Sequence, residues 1–424
     1  MNTRPTNVPG LPTRRAALQI LDAVTRTGQP LDQAVIPATR GLESADRALA
    51  IAIAQEVLRW GPDLDLLIDS QTQLPLAKDA KARMVLRMAL AQILRLGTPP
   101  HAAISTALPL VDKGPRRLVH GVLGSLWRLQ PKLADAPTLL PEVALRWEAA
   151  WGKDMVAASR TALAEPPMLD LTLKNPADTA KLASELGGDS LASGHVRLPR
   201  GQAVETLPGY AEGEWWVQDL AASLPVRSMG EGKGRTVLDL CAAPGGKTMQ
   251  LAAQGWAVTA LDLSAKRLAR LSDNMERTGF AVETVTADLR KWDSEQQFDA
   301  VLLDAPCSAT GTFRRHPDVL HRIGPKQIAE LTGLQSAMLD RAAQWVKPGG
   351  MLVYATCSLE PEEGEVQAAD FRARHPEFVP QECDRNALPD GIASTDGMIR
   401  TLPTLLMQNG GLDGFFIACW KRAE

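Results

Sequence analysis

No stretch of this 424-residue chain approaches the ~18 consecutive apolar residues that a membrane-spanning helix needs. Residues 1–15 lack the apolar core of a secretion signal, so the cytoplasm is the expected address and no membrane partner is expected. Cysteine is scarce and odd in number, with five residues at 241, 307, 357, 383 and 419. None falls in the Cys-x-x-Cys or Cys/His spacing of a zinc site, which argues against a disulfide or metal scaffold. Net charge is small as well, −3 overall, and by itself points to no nucleic-acid partner. Internal repeats and long low-complexity tracts are absent, which leaves out solenoids and arrays.

What is present is ordinary for a globular protein: 45% hydrophobic and 22% charged residues, enough for real cores. Single cores stop growing near ~250–300 residues, so two or three folded units are expected. The small net charge also conceals an asymmetry. Residues 1–140 hold 17 Lys+Arg against 11 Asp+Glu, a net of +6, whereas the remainder holds 29 against 38, a net of −9. The two parts are expected to have different tasks.

From Arg14 to about Leu129 apolar residues recur at helical spacing, as in Ala17, Leu18, Leu21 and Val24. Gly28-Gln29-Pro30, Gly61-Pro62, Leu74-Pro75, Gly97-Thr98-Pro99-Pro100 and Gly114-Pro115 punctuate about six short helices. A Pro-rich linker follows at 131–141. Residues 141–230 read as a linker with a small α+β segment, a helix over 147–163 and a strand at 169–173. From Arg235 onward apolar strands alternate with helix-length segments, the pattern of a mostly parallel, doubly wound α/β sheet. The expected domains are 1–140, 141–230 and 231–424.

The first strand of that region, Thr236-Val237-Leu238-Asp239-Leu240, runs into Cys241-Ala242-Ala243-Pro244-Gly245-Gly246-Lys247-Thr248 and then a helix. A small glycine-bearing turn there lets a ligand approach the backbone at a helix N-terminus. A triphosphate-binding loop would need glycine at 241, and no GxGxxG fingerprint is present. The second, third and fourth strands, at 256–263, 282–287 and 298–303, end at Asp262, Asp288 and Asp304. Open α/β sheets bind ligands at these carboxyl ends, and Asp262, 17 residues after Gly245, suits ribose hydroxyls. Each aspartate taken singly is equally well explained as a helix cap. Together they favour a nucleoside-bearing cofactor, and S-adenosylmethionine fits better than a dinucleotide.

Cys307, in Asp304-Ala305-Pro306-Cys307-Ser308, and Cys357, in Tyr354-Ala355-Thr356-Cys357-Ser358, follow the fourth and fifth strands, the fifth at 350–355. Most lone cysteines are core filler, and Cys241, Cys383 and Cys419 are read that way. An unperturbed thiol is only about 3% thiolate at neutral pH, so a catalytic one needs local help. C5 of cytosine is too weak a nucleophile to take a methyl group. Thiolate addition at C6 turns the ring into an enamine-like species that is nucleophilic at C5, after which a base removes the C5 proton and the thiol leaves. Asp304 is suited to hydrogen-bond the N3 and N4 edge as the thiolate adds.

These motifs, with Arg314-Arg315-His316-Pro317-Asp318, resemble those of the NOL/NSUN/Sun RNA cytosine-C5 methyltransferases across the whole C-terminal half. Arg14-Arg15-Ala16-Ala17-Leu18 and Asp46-Arg47-Ala48-Leu49-Ala50 resemble the NusB-like RNA-binding domain. The combination is similar to the bacterial Sun/Fmu (RsmB-type) branch, which modifies 16S ribosomal RNA. The resemblance implies an all-α NusB-like domain, a small α+β segment and a Rossmann-like methyltransferase domain, with 16S rRNA as partner and S-adenosyl-L-methionine as cofactor. It implies Cys357 as nucleophile, Cys307 for product release and Asp304 as base or positioning group. It further implies cofactor contacts from Cys241, Ala242, Ala243, Pro244, Gly245, Gly246, Lys247, Asp262, Asp288 and Asp304. Ala309 departs from the pattern, since many relatives carry glycine there.

For RNA, Arg314, Arg315 and His316 are expected to neutralise phosphates near the target base. Lys113, Arg116, Arg117 and Arg128 are expected to form a helical patch. A basic residue on an exposed helix is more often just a solvated face. A monomer without bound metal is expected. The alternatives are a DNA cytosine-C5 methyltransferase using Pro306-Cys307 as nucleophile, against which Thr356-Cys357-Ser358 speaks, and a non-catalytic RNA-binding or antitermination factor.

Overall fold

The computed structural model of the protein describes residues 8–424; residues 1–7, the start of the expected 1–140 domain, lie outside the described part. The chain divides into two compact units, one formed by Met1–Glu165 with Phe313–Arg322 and the other by Pro166–Thr312 with Ile323–Glu424. No helix among the described residues is long and apolar enough to cross a membrane.

The first unit is helical: α1 (Leu11–Thr27), α2 (Leu31–Ala38), α3 (Ser44–Asp69), α4 (Lys81–Leu94), α5 (Pro100–Ala107), α6 (Lys113–Leu129), α7 (Pro141–Trp151) and α8 (Lys153–Leu163). Its core takes the stripe expected from the sequence, with Ala17, Leu21, Ile53, Val57 and Val119 buried together. The expected helix over 147–163 is two helices, parted at Gly152, whose φ of 83° lies in the left-handed region. The 131–141 stretch is not a free linker, since Leu139 is buried and Thr138 donates through N and Oγ1 to Asp63.

The break expected at Gly61-Pro62 is absent, and α3 continues through it. Proline has no N–H, so the carbonyl four residues earlier, that of Leu58, loses its helical donor. His321 Nε2 lies 2.8 Å from that oxygen and replaces the missing donor. His321 comes from the late segment Phe313–Arg322, which enters the helical unit and carries α13 (Val319–Arg322). Arg59, 1% exposed, donates to the carbonyls of Leu163 and Arg314. Leu31 N donates to Asp318, and Phe313 packs on Trp147 at 5.3 Å between ring centroids.

In the second unit, β1 (Leu169–Leu173) lies between β2 (His195–Leu198) and β3 (Trp215–Val217) in an antiparallel sheet, with α9 (Thr179–Leu186) preceding β2. After α10 (Leu220–Met229) come β4 (Thr236–Leu240), α11 (Gly246–Ala253), β5 (Ala257–Asp262), α12 (Ala265–Thr278), β6 (Glu283–Thr286) and β7 (Phe298–Asp304). Beyond α13 follow α14 (Pro325–Gln344), β8 (Val346–Thr356), α15 (Glu365–Arg374), β9 (Phe378–Pro380), β10 (Met398–Thr401) and β11 (Phe415–Arg422). The sheet order is β10-β11-β8-β7-β4-β5-β6, with β9 on β11. The strands from β4 to β8 are parallel, and the others pair antiparallel. Strands β4 and β7 are neighbours from which the chain winds in opposite directions, the switch point where such sheets open a crevice at their carboxyl ends.

Candidate active site

The sharp turn after β4 follows from its backbone. Cys241 has φ 61° and Gly245 φ 105°, and a Cβ on Gly245 would stand 3.0 Å from Leu271, so the turn lies close against α12. Ala242 N donates to Leu261 O, and α11 starts at Gly246. Burial pushes the Cys241 thiol up to about 12, which keeps it protonated.

Asp262, Asp288 and Asp304 all reach the carboxyl edge, and none of them is a helix N-cap; the cap of α12 is Ser264, whose side chain accepts from Arg267 N. Asp262, 2% exposed, accepts from Ala243 N at 3.2 Å and Ser264 N at 2.9 Å, tying the first loop to the second. Arg267 Nη1 is 3.6 Å from Asp262, and its Nη2 donates to Ala243 O. Asp288 pairs with Arg290 at 2.7 Å, and these hydrogen bonds hold its carboxyl below the usual range. A cavity of about 210 Å³ opens here, with Cys241, Asp262 and Asp288 facing Leu289, Pro306 and Met338. Carboxylates at one side and apolar walls at the other fit a nucleoside, whose ribose offers hydroxyl donors and whose base offers a flat apolar face.

Asp304 occupies the other side of the switch point. Its Oδ2 accepts from Lys247 Nζ at 2.7 Å, and that ammonium also lies 5.1 Å from the Phe415 ring centroid. Behind them Asp239 is fully buried, with Oδ2 accepting from Thr248 and Oδ1 without a hydrogen-bond partner. Burial, helped by the Asp304 charge, pushes its carboxyl up to about 7.

The two cysteines meet. In the β7/β8 ladder Asp304 stands opposite Ala355, so three residues onward on one strand and two on the other bring Cys307 Sγ to 3.5 Å from Cys357 Sγ. Gly311 N donates to Cys357 O, and Gly414 N donates to Gly311 O. A Cβ on Gly311 would be 1.9 Å from Gly414 O, so only glycine fits this crossing. Ala309 has φ 56°, a conformation that favours glycine and explains why its alanine stands out. The Cys357 contact first, then burial, raise the Cys307 thiol well above its ordinary value.

The basic residues differ in exposure. Lys113, Arg116, Arg117 and Arg128 are exposed on α6, whereas Arg314 is only 3% exposed, Arg315 half-buried and His316 exposed. Arg314 therefore departs from the expected phosphate-facing role: its residue is enclosed in the helical unit and its carbonyl takes Arg59. Sequence reasoning also passed over Glu363. It stands in an acidic run, Glu360, Glu362, Glu363 and Glu365, that reads as a solvated face, yet it is fully buried beside the cysteine loops. The available signal was the repeated Cys-Ser pair at 307–308 and 357–358, since both serines hydrogen-bond to this one carboxylate.

Two family models match the chain: 16S rRNA methyltransferase RsmB/F over residues 229–421 and the NusB family over residues 11–128. Ribosomal RNA small subunit methyltransferase B of Erwinia tasmaniensis is 34% identical over 96% of this chain and 97% of its own. The protein of the same description from Sodalis glossinidius is 36% identical over 95% of each. One solved structure matches over 99% of this chain and 100% of its own, with a TM-score of 0.74 and 24% identity. NSun6 from Pyrococcus horikoshii, solved with SFG, matches over 68% of this chain and 99% of its own, at a TM-score of 0.59 and 19% identity.

Proposed function

Because the chain belongs to the ribosomal RNA small subunit methyltransferase B family, we propose that it methylates C5 of a cytosine in 16S rRNA, with S-adenosylmethionine as donor, through a covalent cysteine adduct. The observation that carries the covalent step is the meeting of Cys307 and Cys357, 3.5 Å apart, beside the Asp304–Lys247 pair. A thiol pair is not needed to move a methyl group to an already nucleophilic atom. It suits a reaction in which the acceptor carbon must first be activated and the activating bond later broken.

The loop at 241–247, Asp262 and Asp288 would hold the cofactor, with Leu289 and Met338 as apolar lining of the same cavity, and the bound cofactor would supply an electrophilic methyl group. Cys357 adds as thiolate to C6 of the cytosine, and the electron pair of the C5–C6 bond becomes available at C5. Asp304 holds the N3 and N4 edge, and Lys247 holds the Asp304 carboxylate in place. After C5 takes the methyl group, a base accepts the C5 proton, the C–H electron pair re-forms the C5–C6 double bond, and the C6–S bond breaks with the Cys357 sulfur leaving as thiolate. Cys307, kept as a thiol 3.5 Å away, serves this release by donating a hydrogen bond to the departing sulfur. The exposed cations of α6 contribute phosphate contacts.

The test is methyl transfer to 16S rRNA by the purified protein, followed by bisulfite mapping of rRNA from a strain lacking the gene. One cytosine should lose protection in the deletion strain and regain it on complementation. Methylation at a ring nitrogen or at ribose, with no change in bisulfite protection, overturns the C5 assignment.

A further inference from the structure

Glu363 is fully buried, and both of its carboxylate oxygens are engaged from the two cysteine loops. Oε1 accepts from Ser308 N at 2.9 Å and from Gln335 Nε2 at 2.9 Å. Oε2 accepts from Ser358 Oγ at 2.6 Å and from Ser308 Oγ. Ser308 follows Cys307 and Ser358 follows Cys357, and their hydroxyl oxygens are 3.1 Å apart. Thr310 closes the cluster, its Oγ1 3.2 Å from Ser308 and accepting from Leu359 N at 3.0 Å. Gln335 adds a bond to Pro306 O, and the carbonyl of Glu363 accepts from Tyr354 and Thr356 on β8.

Such a carboxylate would be expensive to bury without these donors, and a purely apolar plug would fill the same space. Its value lies in being bidentate: one rigid group measures the distance between two loops that arrive from different strands. We propose that Glu363 is the positioning residue of the thiol pair, fixing Cys307 against Cys357 by holding Ser308 and Ser358 on one carboxylate. Its charge has a second effect. After the Cys357 contact and burial, the Glu363 carboxylate is a further cause of the raised Cys307 thiol, so the same group that sets the spacing also helps keep Cys307 protonated. This inference rests on the cysteine roles proposed above, and its test includes a measurement independent of them.

Glu363→Gln keeps the volume and much of the hydrogen bonding but removes the charge; Glu363→Ala removes the clamp. In the full-length protein, cofactor binding by calorimetry should stay within ~2-fold for both, while kcat falls ~10-fold for Gln and ~100-fold for Ala at little-changed KM for the cofactor. Alkylation by iodoacetamide across pH, resolved by peptide mass at each cysteine, should show the Cys307 midpoint lower in Glu363→Gln than in the parent protein. A merely structural carboxylate would lower Tm without moving that midpoint. Unchanged kcat in Glu363→Gln, or an unmoved Cys307 midpoint, overturns the proposal, and neither result depends on whether Glu363→Ala folds. If Cys357→Ser turns over normally, the covalent reading falls, and the alkylation profile still decides what Glu363 does.

Discussion

Lys247 Nζ and Asp304 Oδ2 stand 2.7 Å apart, an ion pair that joins the turn after β4 to the end of β7 with the lysine side chain only 10% exposed. Asp304→Asn keeps the shape but takes away the charge that aligns the ammonium. Steady-state methyl transfer should fall by about 10²- to 10³-fold, within the range for a group assisting proton movement. Cofactor affinity measured by calorimetry should change far less, and an equal loss in both would make Asp304 a binding residue only.

The thiols are separable by their adducts. Cys357→Ala should abolish methylation while cofactor binding persists. In Cys307→Ala the methyl group should still move but release should stall, leaving protein covalently joined to methylated RNA on a denaturing gel. The adduct appearing instead in Cys357→Ala, and not in Cys307→Ala, reverses the roles and favours the arrangement in which Pro306-Cys307 carries the nucleophile.

Asp239 gives stability a pH dependence of known sign. Its folded carboxyl, at about 7, lies above the ordinary 3.8, so the favourable contribution is complete below pH 3.8 and is lost as pH rises toward 7. Asp239→Asn removes this term, which is on the order of a few kcal/mol. Urea midpoints should therefore shift in favour of the variant between pH 4.5 and 8, and parallel curves would contradict the buried, protonated carboxyl.

For the basic residues, exposure decides the expectation. Replacing Lys113, Arg116 and Arg117 together by alanine should weaken RNA binding and lessen the slope of log K against log salt by up to ~2, about 0.7 per lost contact. Arg314→Ala, inside the helical unit, should instead lower Tm and leave the salt slope in place. A salt slope that responds to Arg314→Ala and not to the triple change would move the RNA contact to the segment after Cys307.

His321→Ala leaves the Leu58 carbonyl in α3 without the donor that compensates for Pro62. The expected loss is about 1–3 kcal/mol of stability in urea unfolding. Pro62→Ala restores the N–H, and in that background His321→Ala should cost measurably less. Burial holds the imidazole pKa below its ordinary value of 6.5, so the stability of the fold should fall as pH drops below that value, although the protonated ring still donates to Leu58.

The sheet was legible because β4, β5 and β7 are short, mostly apolar runs and because the strand ends carry chemistry: Asp262, Asp304 and Cys357 sit at or next to the ends of β5, β7 and β8. Strand bounds shifted by a few residues, β8 beginning at Val346 where 350 was expected. Gly61-Pro62 misled because the carbonyl freed by Pro62 finds its donor more than 250 positions away, beyond any local pattern. Arg314 misled, and Glu363 was passed over, for a related reason. A charged side chain looks solvent-bound in sequence, and only the tertiary arrangement shows that Arg314 is enclosed and that Glu363 has four donors around its carboxylate.

The helical unit is not a continuous piece of chain, and this orders its own birth. Residues up to Glu165 leave the ribosome first, and Phe313–Arg322 follows only after roughly 150 further residues. At ~5–20 residues per second that interval is ~7–30 s, during which the Arg59 guanidinium and the Leu58 carbonyl lack the Arg314 and His321 partners of the finished protein. The unit made first is thus completed late, by the very stretch that follows Cys307. A nascent chain released before residue 322 would carry neither a finished helical unit nor Cys357.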